Sequence, residues 1–119
     1  MHHCDGHCKG KEKVEGVKNE LEKVNLKETT VLFKVLAEES RAKIIFSLLK
    51  ANELCVHDLA NITDMTTANT SHHLRALYTQ GLVKVRKEGR LSYYSLADQR
   101  IEKIFADALA LEMEEEIYV

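Results

Sequence analysis

The chain has 119 residues, 45% of them hydrophobic and 30% charged, with a formal net charge of −2. That length suits one domain and leaves no room for a separate catalytic domain beside it. Three cysteines exclude a closed set of intramolecular disulfides, and no apolar leader or run of the ~20 residues a membrane span needs is visible, so a cytoplasmic protein with free thiols and no membrane partner is expected.

Residues 1–10, MHHCDGHCKG, crowd two Gly, two Cys and three His into ten positions and read as a flexible arm that orders with a ligand. Residues 11–119 read as one folded domain. Val14, Val17, Leu21 and Val24 recur at spacings of 3, 4 and 3, which predicts a helix over 11–24. Val31, Leu32, Val35 and Leu36 predict a second over 28–38. Ser40 is a fitting N-cap for a third, whose stripe is Ile44, Ile45, Leu48 and Leu49 and whose end is marked by Asn52 and Glu53. A fourth helix is expected over 54–62 with Leu59 and Ile62 inward. Residues 63–66 connect it to a fifth, capped by Thr66 or Thr67, running to about Gln80 and stopped by Gly81. Two short helices joined by three or four residues form the helix-turn-helix pattern.

The period then changes. Residues 82–86 and 91–96 are rich in β-branched and aromatic side chains, and Lys87-Glu88-Gly89-Arg90 between them is a turn signal, so a hairpin with a basic tip is expected. A last helix starts at Asp98, a good N-cap, with Ile101, Ile104, Phe105, Ala108 and Leu109 as its stripe. The expected fold is mainly α with a β-hairpin wing, an α+β winged helix-turn-helix. The apolar helices at the two ends would supply a homodimer interface.

The charge distribution agrees with contact to double-stranded DNA. Residues 65–95 hold five basic residues against one acidic, while residues 98–119 hold seven acidic against two basic. On the fifth helix Thr70, Leu74, Leu77 and Tyr78 would face inward. Asn69, His72 and His73 would then point outward, with Thr67 and Ser71 near the start and edge, where they can meet base edges in a major groove. Arg75 and the hairpin residues Arg86, Lys87 and Arg90 suit phosphates.

Cys4 and Cys8, with His3 and His7 beside them, form one soft-ligand cluster, and Cys55 and His57 form another. Thiolate and imidazole favour Zn, Cd, Pb or Cu(I) over hard ions. Cys55 and His57 alone are too few, and the arm offers the missing ligands. A soft-metal carrier, or a repressor that senses redox state through Cys4, Cys8 and Cys55, would use the same thiols. Nothing points to an enzyme or to a small organic substrate.

Several segments carry a family resemblance. Val35-Leu36-Ala37-Glu38-Glu39-Ser40-Arg41-Ala42-Lys43-Ile44 resembles the LADENRAKI signature of the ArsR/SmtB metal-sensing repressors. Glu53-Leu54-Cys55-Val56-His57-Asp58-Leu59 resembles their ELCVCDL metal box, and Ser71-His72-His73-Leu74-Arg75 their SHHLR recognition helix. The cysteine-bearing arm is similar to that of the cadmium-, lead- and zinc-responsive CadC branch. The resemblance implies a dimeric repressor that leaves its operator when Cd, Pb or Zn binds, controlling metal efflux or resistance genes. It implies Cys4, Cys8, Cys55 and His57 as ligands, the arm of one subunit reaching the fourth helix of the other. Where the branch has a second cysteine this chain has His57, which removes one negative charge and moves preference toward Zn. The family's second site, between the C-terminal helices, keeps Asp98 and Glu114 but meets Arg100 and Leu111 where histidines are expected, so it should be dead.

Overall fold

A computed structural model describes the backbone of residues 10–118 and the side chains of residues 10–110. The chain divides between Val31 and Leu32. In the first part, helix α1 (Lys11–Glu22) carries Val14, Val17 and Leu21 on the expected stripe, and none of its residues is buried. Helix α2 (Leu26–Leu36) starts two residues earlier than the apolar stripe suggests. Asn25 explains this: its Oδ1 accepts from the Glu28 amide at 3.1 Å and its Nδ2 donates to the Glu28 carboxylate, a reciprocal cap.

The second part begins within α2. Helix α3 (Glu39–Ala51) is capped at Glu38 in extended backbone, with no side-chain cap bond, so Ser40 lies inside the first turn and does not cap it. Asn52 ends the helix at φ 65°, and its amide donates to the Leu48 carbonyl. Asn tolerates this left-handed conformation better than most residues.

Leu54 and Cys55 depart from expectation. They form strand β1 (Leu54–Cys55), and helix α4 (Val56–Thr63) starts only after it. The buried face of α4 is Leu59, Ala60 and Thr63. Ile62, expected inward, lies about 100° round the helix from the middle of that face and is 57% exposed. Asp64 closes α4 in the left-handed region at φ 57°. Two residues later Thr66 caps helix α5 (Thr67–Thr79), its Oγ1 accepting from the Asn69 amide at 3.0 Å.

Gly81 follows α5 at φ 74°, and the Leu82 amide donates back to the Leu77 carbonyl, which turns the chain into the hairpin. Strands β2 (Val83–Glu88) and β3 (Leu91–Leu96) pair antiparallel from Val83↔Leu96 to Glu88↔Leu91. The turn is therefore only Gly89-Arg90, tighter than the four residues the sequence suggests. Positive φ at Gly89 alone matches a type II′ turn. β1 adds to the other edge of β3, giving the order β1-β3-β2. Helix α6 (Gln99–Tyr118) begins at Asp98, whose Oδ1 accepts from the Arg100 amide at 2.8 Å, as the sequence suggests.

One apolar core ties the second part together. Ile44, Ile45 and Leu48 of α3 meet Leu59 of α4, Leu74 and Leu77 of α5, and Ile101 of α6. Each side chain contributes about 1.5–3 kcal/mol by leaving water. This packing fixes α4 and α5 as a helix pair and leaves the other side of α5 in solvent.

Candidate nucleic-acid interface and soft-metal half-site

On α5 the positions 70, 73, 74 and 77 form the buried face, because only they face the core at helical spacing. Thr67, Asn69 and His72 are exposed and Ser71 is half-buried, so four of the predicted base-facing residues are available. Tyr78, expected inward, is 55% exposed. His73 is the larger correction: expected outward, it is only 6% exposed. Its Nδ1 accepts from Arg41 Nε at 3.3 Å and its Nε2 lies 3.4 Å from the Glu38 carboxylate. Glu38 also lies 3.4 Å from Arg41 Nε, and Arg41 Nη1 donates to the Val35 carbonyl. His73 thus ties α5 to the start of α3 and is withdrawn from any base edge. The sequence holds no sign of this, since the partners lie 32 residues apart.

The hairpin is basic on its outer part. Lys84, Lys87 and Arg90 are exposed and form no ion pair among the described residues. Arg86 is different from the phosphate ligand the sequence suggests. Its Nε and Nη2 donate to the two Glu53 oxygens at 3.0 and 2.8 Å, its Nη1 donates to Glu88 at 2.7 Å, and its guanidinium stacks 4.8 Å from the Tyr93 ring centroid. Its charge is already matched within the chain. These hydrogen bonds hold the Glu53 carboxyl below its ordinary range and push the Arg86 guanidinium up.

The same row of the sheet carries Cys55. Cys55 pairs with Tyr93, and Tyr93 pairs on its other side with Arg86. Glu53, two residues before Cys55, closes the loop back to Arg86. Cys55 is 8% exposed and serves as the N-cap position of α4, while His57 is exposed in the first turn. Thiol and imidazole so close in sequence at a helix start fit half of a soft-metal donor set. Among the described residues no third Cys, His, Asp or Glu joins them. The other predicted ligands, Cys4, Cys8, His3 and His7, lie outside the described residues. At the start of α6, Arg100 donates to both oxygens of Asp98, from Nε at 3.1 Å and from Nη2 at 2.7 Å. The paired guanidinium lowers the Asp98 carboxyl from its ordinary range. The side chains of Leu111 and Glu114 lie outside the described residues.

Residues 38–85 match the bacterial regulatory protein, arsR family. The cadmium resistance transcriptional regulatory protein CadC homolog of Staphylococcus aureus is 43% identical over 97 residues, covering 82% of this chain and 80% of the relative. The chain belongs to the ArsR family. This ArsR-family chain is a transcriptional regulator and not an enzyme. Solved structures agree on the fold, a winged helix-turn-helix. Reduced HlyU from Vibrio cholerae superposes with a TM-score of 0.70 at 34% identity, covering 77% of this chain and 95% of that one. The homodimeric winged helix-turn-helix DNA-binding domain of a possible ArsR-family regulator from Mycobacterium bovis has a TM-score of 0.70 at 30% identity, covering 79% and 86%.

Proposed function

We propose that the chain is a metal-responsive repressor that binds operator DNA as a homodimer and releases it when Cd, Pb or Zn is bound, controlling metal efflux or resistance genes. The observation that carries this is the place of Cys55. It stands in β1, hydrogen-bonded into the wing, and immediately starts α4, the first helix of the helix-turn-helix. A soft donor at that junction sits between the sheet that continues into the wing and the helix that precedes the recognition helix. The name of the S. aureus relative, a cadmium resistance regulator, supports cadmium among these metals.

The exposed face of α5 (Thr67, Asn69 and His72, with Ser71 at its edge) enters the major groove, and Lys87 and Arg90 at the wing tip take phosphates. Two copies place two such helices on successive grooves of a palindromic site. Homodimerisation is supported by the exposed stripe of α1 and by the homodimeric M. bovis domain. Cys55 and His57 would hold the ion together with Cys4 and Cys8 of a second copy's arm, His3 or His7 being able to replace an arm ligand. When bound, the ion would supply a fixed link between the arm donors and the β1–α4 junction. β1 passes any displacement of that junction to β3, and Glu53 passes it to Arg86 on β2. The Arg100 fork on Asp98 supports a second site with no metal affinity.

Fluorescence anisotropy of the full chain on its own promoter DNA, with chelator and then with saturating Cd, Pb or Zn, tests the proposal. A 5–150-fold loss of affinity with metal is expected, corresponding to coupling of ~1–3 kcal/mol. Equal affinity in chelator and in all three metals would sink it.

A further inference from the structure

Beside α5 lies a second cationic feature, which shares His72 with the recognition face and joins Arg75 of α5 to Arg41 of α3. Arg41, His72, Arg75 and Gln80 line an open pocket of about 410 Å³, with Val35 and Ala76 as its apolar part. Among the described residues no carboxylate lines it. The pocket residues His72, Arg75 and Thr79 lie on the solvent side of α5, turned away from the buried Thr70, Leu74 and Leu77, with Ala76 and the C-cap Gln80 at its edge. The pocket therefore opens on the same side of the helix as the base-facing residues, toward its C-terminal half.

Its two permanent charges differ in kind. Arg41 has an 18% exposed side chain and is held in place by His73, by the Val35 carbonyl and by Glu38. Those contacts use Nε and Nη1, and Nη2 has no partner among the described residues. Arg75 is exposed and has no ion pair among the described residues. A fixed guanidinium and a free one lining one pocket suit an anion with several equivalent oxygens, because each fork can take one or two of them. A guanidinium anchored to α3 lies at the flank of the recognition helix.

We propose that this pocket is a phosphate site, in which Arg41 and Arg75 together hold one backbone phosphate of the bound duplex. The inference rests on the DNA-binding role proposed above and assigns to it a residue, Arg41, outside the expected reading and wing positions. It gives the Glu38–His73–Arg41 network a purpose: burying His73 in α5 sets the position of the arginine that orients the helix on the DNA. A phosphate contact of this kind fixes register and carries no sequence preference.

The test is the salt dependence of binding of the full chain to a short random-sequence duplex, followed by anisotropy, which needs no knowledge of the operator. Arg75→Ala is expected to reduce the slope of log K against log salt by about 0.9, the release expected for one phosphate. Arg41→Ala should do the same. The double variant should lose about 0.9 in total, and not twice that, because both arginines serve one phosphate. If Arg41→Ala melts early, Glu38→Gln replaces it. That change keeps an acceptor for His73, removes the one carboxylate paired with Arg41 among the described residues, and should tighten binding. A slope unchanged in Arg75→Ala, additive losses in the double variant, or weaker binding by Glu38→Gln would each overturn the shared phosphate while leaving the repressor assignment standing. Saturable capture of inorganic phosphate by the arginines, with an unchanged DNA slope, would make this a small-anion site and also overturn it. A wild-type chain that binds no duplex at all would overturn both.

Discussion

Thr66 and Glu53 are small contributors with wide reach. Thr66 sits in a turn of three residues between α4 and α5, and its hydroxyl satisfies one of the free amides at the start of the recognition helix. Thr66→Ala is expected to cost about 1 kcal/mol of unfolding free energy, measured by urea denaturation. DNA affinity should fall more at low temperature than this loss of folded protein explains, because the first turn carries Thr67 and Asn69. Glu53 gives a pH signature. Its carboxyl is depressed in the folded chain by Arg86, so the bridge contributes when pH lies above the ordinary Glu value of about 4.3 and is lost as pH falls through the lower folded value. Titration of the Glu53 carboxyl by NMR should show a midpoint below the ordinary Glu value of about 4.3. Glu53→Gln should reduce the acid-dependent movement of the Arg86 Nε–H signal, Glu88 remaining as its second carboxylate partner. A Glu53 midpoint at the ordinary value would refute the bridge.

At the scale of elements, the recognition helix is held by its neighbours more than by its own propensity. Thr70, Leu74 and Leu77 insert into the core, while the rest of α5 is rich in Thr, Asn, Ser and His, residues of modest helix preference. Leu74 is 1% exposed, and Leu74→Ala should cost about 2–5 kcal/mol through lost burial and an unfilled cavity. Thermal melts would read that loss, and DNA binding should disappear with it. The short strand β1 plays a different part. It covers one edge of β3 with only two residues, which is enough to fix Cys55 opposite Tyr93. His57, exposed in the first turn of α4, can change without disturbing that pairing. His57→Ala is therefore expected to weaken Cd binding, followed through thiolate-to-metal charge-transfer absorption, with no loss of thermal stability in chelator. Unaltered Cd affinity would remove His57 from the ligand set.

For the whole molecule, the unburied stripe of α1 is the feature that most needs a partner. Val14, Val17 and Leu21 are 52%, 63% and 52% exposed, a row of apolar side chains that a stable helix does not usually leave in water. Val17→Glu combined with Leu21→Glu is expected to leave the core of the second part intact. The same change should shift sedimentation from dimer to monomer. A monomeric chain should bind a half-site weakly and lose the palindromic preference. A dimer that survives both changes would place the interface elsewhere.

Much of this architecture was legible locally. Helical stripes repeat within four residues, caps act across three, and a hairpin declares itself by a change of period and a glycine. The sequence alone therefore determined six helices, the turn between α4 and α5, the wing, and the presence of soft donors at 55 and 57. Only the tertiary structure decided what happens between distant positions. Two residues of β1 are too short for any periodicity, and they become a strand because β3 has an open edge. His73 turns inward because Glu38 and Arg41, 35 and 32 residues before it, meet its ring. Arg86 spends its charge on Glu53, 33 residues earlier. Such pairings depend on which segments the closed core brings together, and the spacing of side chains along one element carries no record of them.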